Sequence, residues 1–276
     1  MYKTLLVPVD GRAKSTRSLE LACRIARAFD SHLVGLFVRP ATTIPSAARA
    51  AGAEKLLREL QQKVAAELTQ EARGRFDSVV KPAGLERAEW RVADGARAEA
   101  VALHARYADL VVINQTDPDS PDATHFGDAV LLAVGRPVLL VPYAGETSRF
   151  GQNVLVCWNA SREASRALTD ALPLLKTAQK VTVLTVDGEA SRAGHGESPG
   201  SDIALYLARH GVNAVAAQTV SASVDVGSVL LSRAFDLRAD LIVMGAYGHS
   251  RVREIVMGGA TRTVLQSMTA PVLMSH

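Results

Sequence analysis

Two stretches of this chain repeat each other. Leu5–Leu19 reads LLVPVDGRAKSTRSL and Val154–Leu168 reads VLVCWNASREASRAL, and the two align without a gap. Two further landmarks recur in the same order: Tyr107–Ile113 (YADLVVI) with Arg238–Met244 (RADLIVM), and Arg136–Val141 (RPVLLV) with Ala270–Met274 (APVLM). Three matched landmarks in one order indicate two copies of one module. We expect domains at residues 1–143 and 152–276, joined by the glycine-containing segment Pro142–Gln152.

Each copy alternates short apolar runs with segments of helical periodicity. The runs are nearly continuous in Val, Leu and Ile, which is typical of parallel strands covered on both faces. Alternation of strands and helices predicts an α/β fold, with two tandem Rossmann-like open parallel sheets of about five strands each and helices on both faces. Helical spacing in the first copy is shown by two sets of residues: Leu19, Ala22, Ala26 and Phe29, and then Leu57, Leu60, Val64 and Leu68. In the second copy, Asp187–Ser201 reads as a loop before another helix.

Composition excludes several functional classes. Hydrophobic residues make up 48% of the 276 residues, as in a globular protein. The net charge is +3, and the Lys and Arg residues are scattered among Asp and Glu, so the chain has no basic tract of the kind that binds nucleic acid. No apolar run reaches the length of a membrane span or a signal peptide. The two cysteines, Cys23 and Cys157, have no metal-binding spacing and suggest a reducing compartment. We therefore expect a cytoplasmic protein with no membrane or nucleic-acid partner.

A glycine-rich segment follows the fourth strand of the second copy. It contains Gly245, Gly248, Gly258 and Gly259 and then Thr261, in the spacing Gly-x2-Gly-x9-Gly-Gly-x-Thr. Glycines let a backbone approach a phosphate and adopt positive φ, and the amides at the start of a helix favour an anion. Ligands of open α/β sheets bind beyond the carboxyl ends of strands, which is where this segment lies. The alternative is that the glycines make only a tight turn and a helix entry.

With this spacing, the chain resembles the universal stress protein (UspA) family, and its tandem subgroup in particular, over nearly its whole length. The resemblance implies an adenine nucleotide alpha hydrolase-like fold that binds ATP, ADP or AMP, with or without Mg²⁺. It also implies contacts from the ends of the first and second strands. The nucleotide-binding residues expected in the second copy are Cys157, Trp158, Asn159, Val186, Met244, Gly245, Gly248, His249, Arg251, Gly258, Gly259, Ala260 and Thr261.

Two positions depart from the family pattern. Asn159 stands where the family has Asp, which removes a negative charge and a potential metal ligand, and Gly259 stands where the family has a hydroxyl residue. We expect these changes to weaken binding. Trp158 has two interpretations, a contact with the base or ordinary core packing. His249, Arg251 and Arg253 follow the second glycine and are candidates for phosphate contacts, with Arg251 the better positioned by spacing. A solvated loop is the alternative for Arg253.

The first copy keeps Pro8–Gly11 but has lost the glycine spacing. Its corresponding loop contains Asp117, Asp119, Asp122 and His125 together with prolines. The three aspartates would repel a phosphate, and the prolines lack the amide hydrogens that could bind one. We expect no nucleotide there. A metal site is a weak alternative to a solvated turn, because the spacing of these residues matches no established ligand pattern.

Three functions remain open on the sequence. The first is a regulatory or protective stress protein that binds an adenine nucleotide, with no catalytic residues and at most slow ATP hydrolysis. The second is a scaffold that binds protein partners without nucleotide. The third is an adenylyl-transferring or ATP-pyrophosphatase-type enzyme, but neither its His-x-x-His nor its Ser-Gly-Gly-x-Asp-Ser motif is present, nor is a Walker A loop. The resemblance also implies an intramolecular pseudo-dimer, with Val138–Val141 against Val272–Met274, and a further homodimer of whole chains.

Overall fold

A computed structural model describes residues 1–10, 16–40, 46, 53–116, 126–145, 147–187, 199–248 and 259–276. The chain divides into two compact units, one of residues 2–112 and one of Met1 with residues 113–276. In both units parallel strands alternate with helices, so the predicted α/β class is confirmed. None of the helices in these ranges is long and apolar enough to cross a membrane.

The unit of residues 2–112 is built on parallel strands in the order β3-β2-β1-β4. Its core lies where strand β1, buried along Leu5–Pro8, meets the inward face of helix α1. The residues of α1 at helical spacing, Leu19, Ala22, Ala26 and Phe29, are all buried, as their periodicity predicts. The elements are β1 (Thr4–Pro8), α1 (Thr16–Phe29), β2 (His32–Arg39), α2 (Glu54–Val80), β3 (Ala88–Asp94), α3 (Arg97–Ala105) and β4 (Leu110–Asn114), whose last two residues belong to the other unit.

Helix α2 is an exception to this pattern. Its sequence predicts a second inward face through Leu57, Leu60, Val64 and Leu68, yet Leu60 is 56% exposed and Val64 is 45% exposed. The buried residues lie further along the helix, at Ala72, Phe76 and Val80. Helical periodicity marks an apolar face but does not say what covers that face.

The unit of residues 113–276 has the strand order β5-β10-β9-β6-β7-β8. All neighbouring strands are parallel except β5 and β10, which pair antiparallel through Leu139 with Leu273. The predicted pairing of Val138–Val141 with Val272–Met274 is therefore present, and both strands are fully buried. The elements are α4 (Phe126–Ala133), β5 (Val138–Val141), β6 (Asn153–Cys157), α5 (Arg162–Leu175), β7 (Lys180–Val186), α6 (Pro199–Arg209), β8 (Ala214–Thr219), α7 (Val226–Asp236), β9 (Leu241–Gly245), α8 (Gly259–Ser267) and β10 (Val272–Ser275).

The boundary between the two compact units does not coincide with the boundary between the two sequence repeats. Strand β5 belongs to the first repeat by sequence, but its pairing with β10 places it in the same compact unit as the second repeat. Within the described residues, each repeat supplies five strands, β1–β5 and β6–β10. The domain boundaries at residues 143 and 152 stay a prediction, since a division by contacts follows strand pairing and not sequence repetition.

Candidate functional site

Strand β6 is the point where the strand order of the unit of residues 113–276 reverses. It pairs on one side with β7, with Cys157 opposite Leu184, and on the other side with β9, with Val156 opposite Val243. Because all three strands are parallel, their carboxyl ends open at the same edge of the sheet. An open α/β sheet binds ligands at such a switch point. The structure therefore brings the chain after Cys157, Val186 and Gly245 to one edge.

The chain after β6 makes a tight turn into helix α5. The amide of Trp158 donates to the carbonyl of Leu184 at 2.9 Å, which extends the β6–β7 pairing by one residue. Oδ1 of the exposed Asn159 accepts from the amide of Ser161 at 3.1 Å, and Ala160 between them has φ of 56°. The single side-chain oxygen of Asn159 is thus used to shape the turn. Trp158 is half-buried, which leaves both of its interpretations open.

Helix α5 begins under the loop that follows β9. Ser161 is its N-cap, since its side-chain oxygen accepts from the amide of Ala164 at 3.1 Å. A Cβ placed on Gly245 would lie 2.5 Å from the amide nitrogen of Ala164 and 2.6 Å from the carbonyl carbon of Glu163. Only glycine allows this close approach. Gly245 is therefore required by its packing against the first turn of α5, a reason that is independent of any phosphate.

The strained residue of the loop after β9 is a tyrosine and not a glycine. Tyr247 has φ of 58°, whereas the neighbouring Gly245 and Gly248 do not adopt positive φ, contrary to the expected use of these glycines. The amide of Tyr247 donates to the buried Oγ1 of Thr261 at 3.4 Å, in the first turn of α8. The positive φ is held in place because the Tyr247 side chain is anchored as well.

Two residues outside the predicted site hold this loop. The Tyr247 hydroxyl donates to Oδ1 of Asp128 at 2.7 Å, and the rings of Tyr247 and His276 form a T-shaped pair with their centroids 6.1 Å apart. Burial, followed by the hydrogen bond to Asp128, raises the pKa of Tyr247 above its usual range. Nδ1 of His276 donates a hydrogen bond to the carbonyl oxygen of Ala246 at 3.0 Å. The loop is therefore fixed by helix α4 on one side and by the last residue of the sequence on another.

A buried carboxylate lies beneath Gly248. A Cβ placed on Gly248 would be 3.3 Å from Oε2 of Glu163 and 3.8 Å from Oγ of Ser161. Oε1 of Glu163 accepts from Nε of Arg162 at 2.6 Å. Burial by itself raises the pKa of Glu163, but hydrogen bonds from Arg162 and from its own backbone amide outweigh burial, and the pKa lies below its usual value. Glu163 is thus an ionised carboxylate inside the predicted phosphate cradle.

A second carboxylate borders the start of helix α8. Asp225 is the N-cap of α7 and accepts from the amide of Ser228 at 3.0 Å. The hydrogen bond from this amide, with that from the Thr263 side chain, lowers the pKa of Asp225. A Cβ placed on Gly259 would lie 3.5 Å from its Oδ1. The helix start that was predicted to meet a phosphate therefore has a negative neighbour.

The structure brings most of the predicted residues to one edge. Those described there are Cys157, Trp158, Asn159, Val186, Met244, Gly245, Gly248, Gly259, Ala260 and Thr261. His249, Arg251 and Gly258 lie outside the described residues, as do Asp117, Asp119, Asp122 and His125 of the first repeat. In the described ranges no group of three or more His, Cys, Asp or Glu side chains is arranged to hold a metal ion. The sequence analysis missed Glu163, Asp225, Asp128 and His276.

A family model described as the universal stress protein family matches residues 1–142 and 151–276. The chain belongs to the universal stress protein family. A universal stress protein from Archaeoglobus fulgidus DSM 4304 has the same fold, with a TM-score of 0.72 at 17% identity over 99% of this chain and 97% of that chain. No curated protein matches the chain.

Two single-module universal stress proteins match about half of the chain. One is UspA from Lactobacillus plantarum, with a TM-score of 0.42 at 20% identity over 51% of this chain and 97% of that chain. The other is a universal stress protein in complex with cAMP, with a TM-score of 0.36 at 23% identity over 52% of this chain and 98% of that chain.

Proposed function

We propose that this universal stress protein is a regulatory or protective protein of the stress response that binds ATP or a related adenine nucleotide in its second repeat. The observation that carries the proposal is the bond from the Tyr247 amide to Oγ1 of Thr261. It joins the loop Gly245–Gly248 to the first turn of α8 at the switch point of the sheet. Two elements suited to phosphate, a glycine-containing loop and a helix N-terminus, therefore lie together.

The base and ribose would lie toward strands β6 and β7. The half-buried side chains of Trp158 and Val186 follow the ends of these neighbouring strands, and the amide of Trp158 is already used in pairing with Leu184. An apolar surface beside the phosphate cradle is what an adenine ring requires. In this proposal Val186 supplies its backbone to the base and Trp158 borders the ring.

We infer a binding role and not a catalytic one. Among the described residues of the site, the carboxylate of Asp225 caps helix α7, and that of Glu163 is paired through one oxygen with Arg162. Burial raises the pKa of Cys157 to about 12, so its thiol is not a nucleophile at neutral pH. A bound nucleotide would act by fixing the loop after β9 and the surface around it. Any ATP hydrolysis would be slow.

A scaffold without nucleotide is the second candidate function, and one observation favours it. Gly245 is fully explained by the close approach of α5, and two carboxylates, Glu163 and Asp225, border the cradle. A site retained only for packing would look similar. In that case the stress protein would act through protein partners alone.

The same proposal covers the assembly and location of the protein. The antiparallel pair of β5 and β10 supports an intramolecular pseudo-dimer of the two repeats, because a strand of each repeat covers the edge of the other. A further homodimer of whole chains is part of the proposal. Both cysteines are unpaired and buried, which suits a reducing cytoplasm.

Thermal unfolding separates the two candidates. A ligand that binds only the folded state stabilises it by about 2.7 kcal/mol at a hundredfold excess over Kd, which raises Tm by roughly 5 °C or more for a chain of this size. We expect ATP with Mg²⁺ to produce such a shift and GTP to produce a smaller one. An unchanged Tm at millimolar ATP would favour the scaffold.

A further inference from the structure

Only one of the two carboxylate oxygens of Glu163 has a hydrogen-bond partner among the described residues. Its side chain is 4% exposed, and Oε1 is paired with Arg162, whose own side chain is 80% exposed. Oε2 is fully buried and has no hydrogen-bond partner in the part of the chain that the structure describes. A buried carboxylate oxygen without a partner is costly, so such an oxygen needs an explanation in a native fold.

The surroundings of Glu163 explain why it is ionised but not what Oε2 faces. Glu163 is the second residue of α5, where the helix dipole favours a negative charge. On the other side, Oε2 points toward the loop at Gly248, with the hydroxyl oxygen of Ser161 close to the same point. Two oxygens therefore converge on the place where the proposed function puts the phosphates. Phosphate oxygens alone would be repelled there.

We propose that Glu163 makes nucleotide binding by this protein dependent on a divalent cation, with Oε2 as a protein ligand of Mg²⁺ that also binds the phosphates. The inference rests on the proposed function and names its true ligand, the Mg²⁺–nucleotide complex and not the free nucleotide. Mg²⁺ is commonly held by one or two carboxylates together with substrate phosphates, and it keeps several waters. A single carboxylate from the protein is then sufficient.

This assignment also accounts for Asn159. The family pattern has an aspartate at the end of the first strand, and here the Oδ1 of Asn159 accepts from the amide of Ser161. Glu163 returns a negative charge to the same turn, four residues later. Asp225 beside Gly259 is a second negative charge near the phosphates, and it strengthens the need for a cation that neutralises the phosphate charge.

Isothermal titration of the full chain tests the inference. ATP is titrated with excess Mg²⁺ and again with EDTA, at constant ionic strength, into the wild type, Glu163→Gln and Glu163→Asp. Asp202→Asn is the matched control, since it removes one charge from an exposed position in the first turn of α6. Thermal unfolding of each variant shows that it is folded before titration.

The wild type and Asp202→Asn are expected to bind ATP at least about tenfold more tightly with Mg²⁺ than with EDTA. In Glu163→Gln the ratio is expected to fall to about twofold or less, with free ATP bound more tightly than by the wild type. Glu163→Asp keeps the charge and is expected to retain cation dependence. A tenfold ratio that persists in Glu163→Gln would overturn the inference and leave the proposed function standing, as would equal binding by the wild type with EDTA. Failure of ATP to bind any form would remove the proposed function and the inference together.

Discussion

The hydroxyl of Tyr247 lies 2.7 Å from Oδ1 of Asp128 and donates a hydrogen bond to it. Tyr247 belongs to the loop after β9 in the second repeat, and Asp128 lies in the first turn of α4, which the sequence assigns to the first repeat. The loop proposed to receive phosphate therefore depends on a side chain that its own repeat does not supply. This contact couples the loop to a residue of the first repeat.

Replacement of Tyr247 by Phe should destabilise the protein. The change removes a hydrogen bond to a carboxylate, which contributes about 1.5 kcal/mol or more to the free energy of unfolding. Urea unfolding of Tyr247→Phe, Asp128→Asn and the double variant measures the coupling between the two residues. Tyr107→Phe is the matched control, because Tyr107 is 76% exposed. Additive losses in the double variant would show that the bond contributes nothing to stability.

Gly245 should not tolerate even one added methyl group. The new Cβ would meet backbone atoms of Glu163 and Ala164 at 2.6 and 2.5 Å, which cannot move aside as a flexible side chain can. We expect Gly245→Ala to lower the free energy of unfolding by about 1–3 kcal/mol. The control is Gly74→Ala in helix α2, where nothing lies within 4 Å, and it should stabilise the chain by about 0.5–1 kcal/mol. A Gly245→Ala variant as stable as the wild type would refute the packing explanation.

The stabilising effect of Asp225 should depend on pH. Because its pKa is lowered in the folded state, its extra stabilisation is present above the unfolded pKa of about 3.9 and is lost as pH falls through the folded pKa. We expect Asp225→Ala to cost about 1 kcal/mol at pH 7 and less at pH 3. Ser161→Ala removes the uncharged N-cap of α5 and should cost about 1 kcal/mol at both pH values. Equal costs of Asp225→Ala at the two pH values would contradict this account.

The fold was readable from the sequence because its signals are local and repeated. Apolar runs such as Leu110–Ile113 and Leu241–Met244 lie in strands β4 and β9, and the pairing of β5 with β10 is the one that the family resemblance implied. The face of α2 was harder to predict. Leu60 and Val64 have the spacing of an inward face, but no described element buries them.

The site was only partly readable because its contacts join distant positions. The glycine spacing located the edge of the sheet, but it did not show that Gly245 is required by α5, whose first turn lies some eighty residues earlier. Asp128 and His276 bind the loop through Tyr247 and Ala246, and no motif spacing connects these positions in the sequence. Glu163 gave one local signal, an acidic residue just after the N-cap Ser161, which also suits an ordinary helix start.

The most direct test of the central claim is isothermal titration of the full chain with ATP and Mg²⁺, beside Gly248→Asp and Gly74→Asp. The new carboxylate at residue 248 would lie next to Oε2 of Glu163, inside the proposed cradle, while that at residue 74 would lie in open space on α2. The account predicts about one site per chain, retained in Gly74→Asp and weakened at least tenfold in Gly248→Asp. Equal binding by Gly248→Asp would place the nucleotide elsewhere, and no binding by the wild type would contradict the proposed function and favour the scaffold.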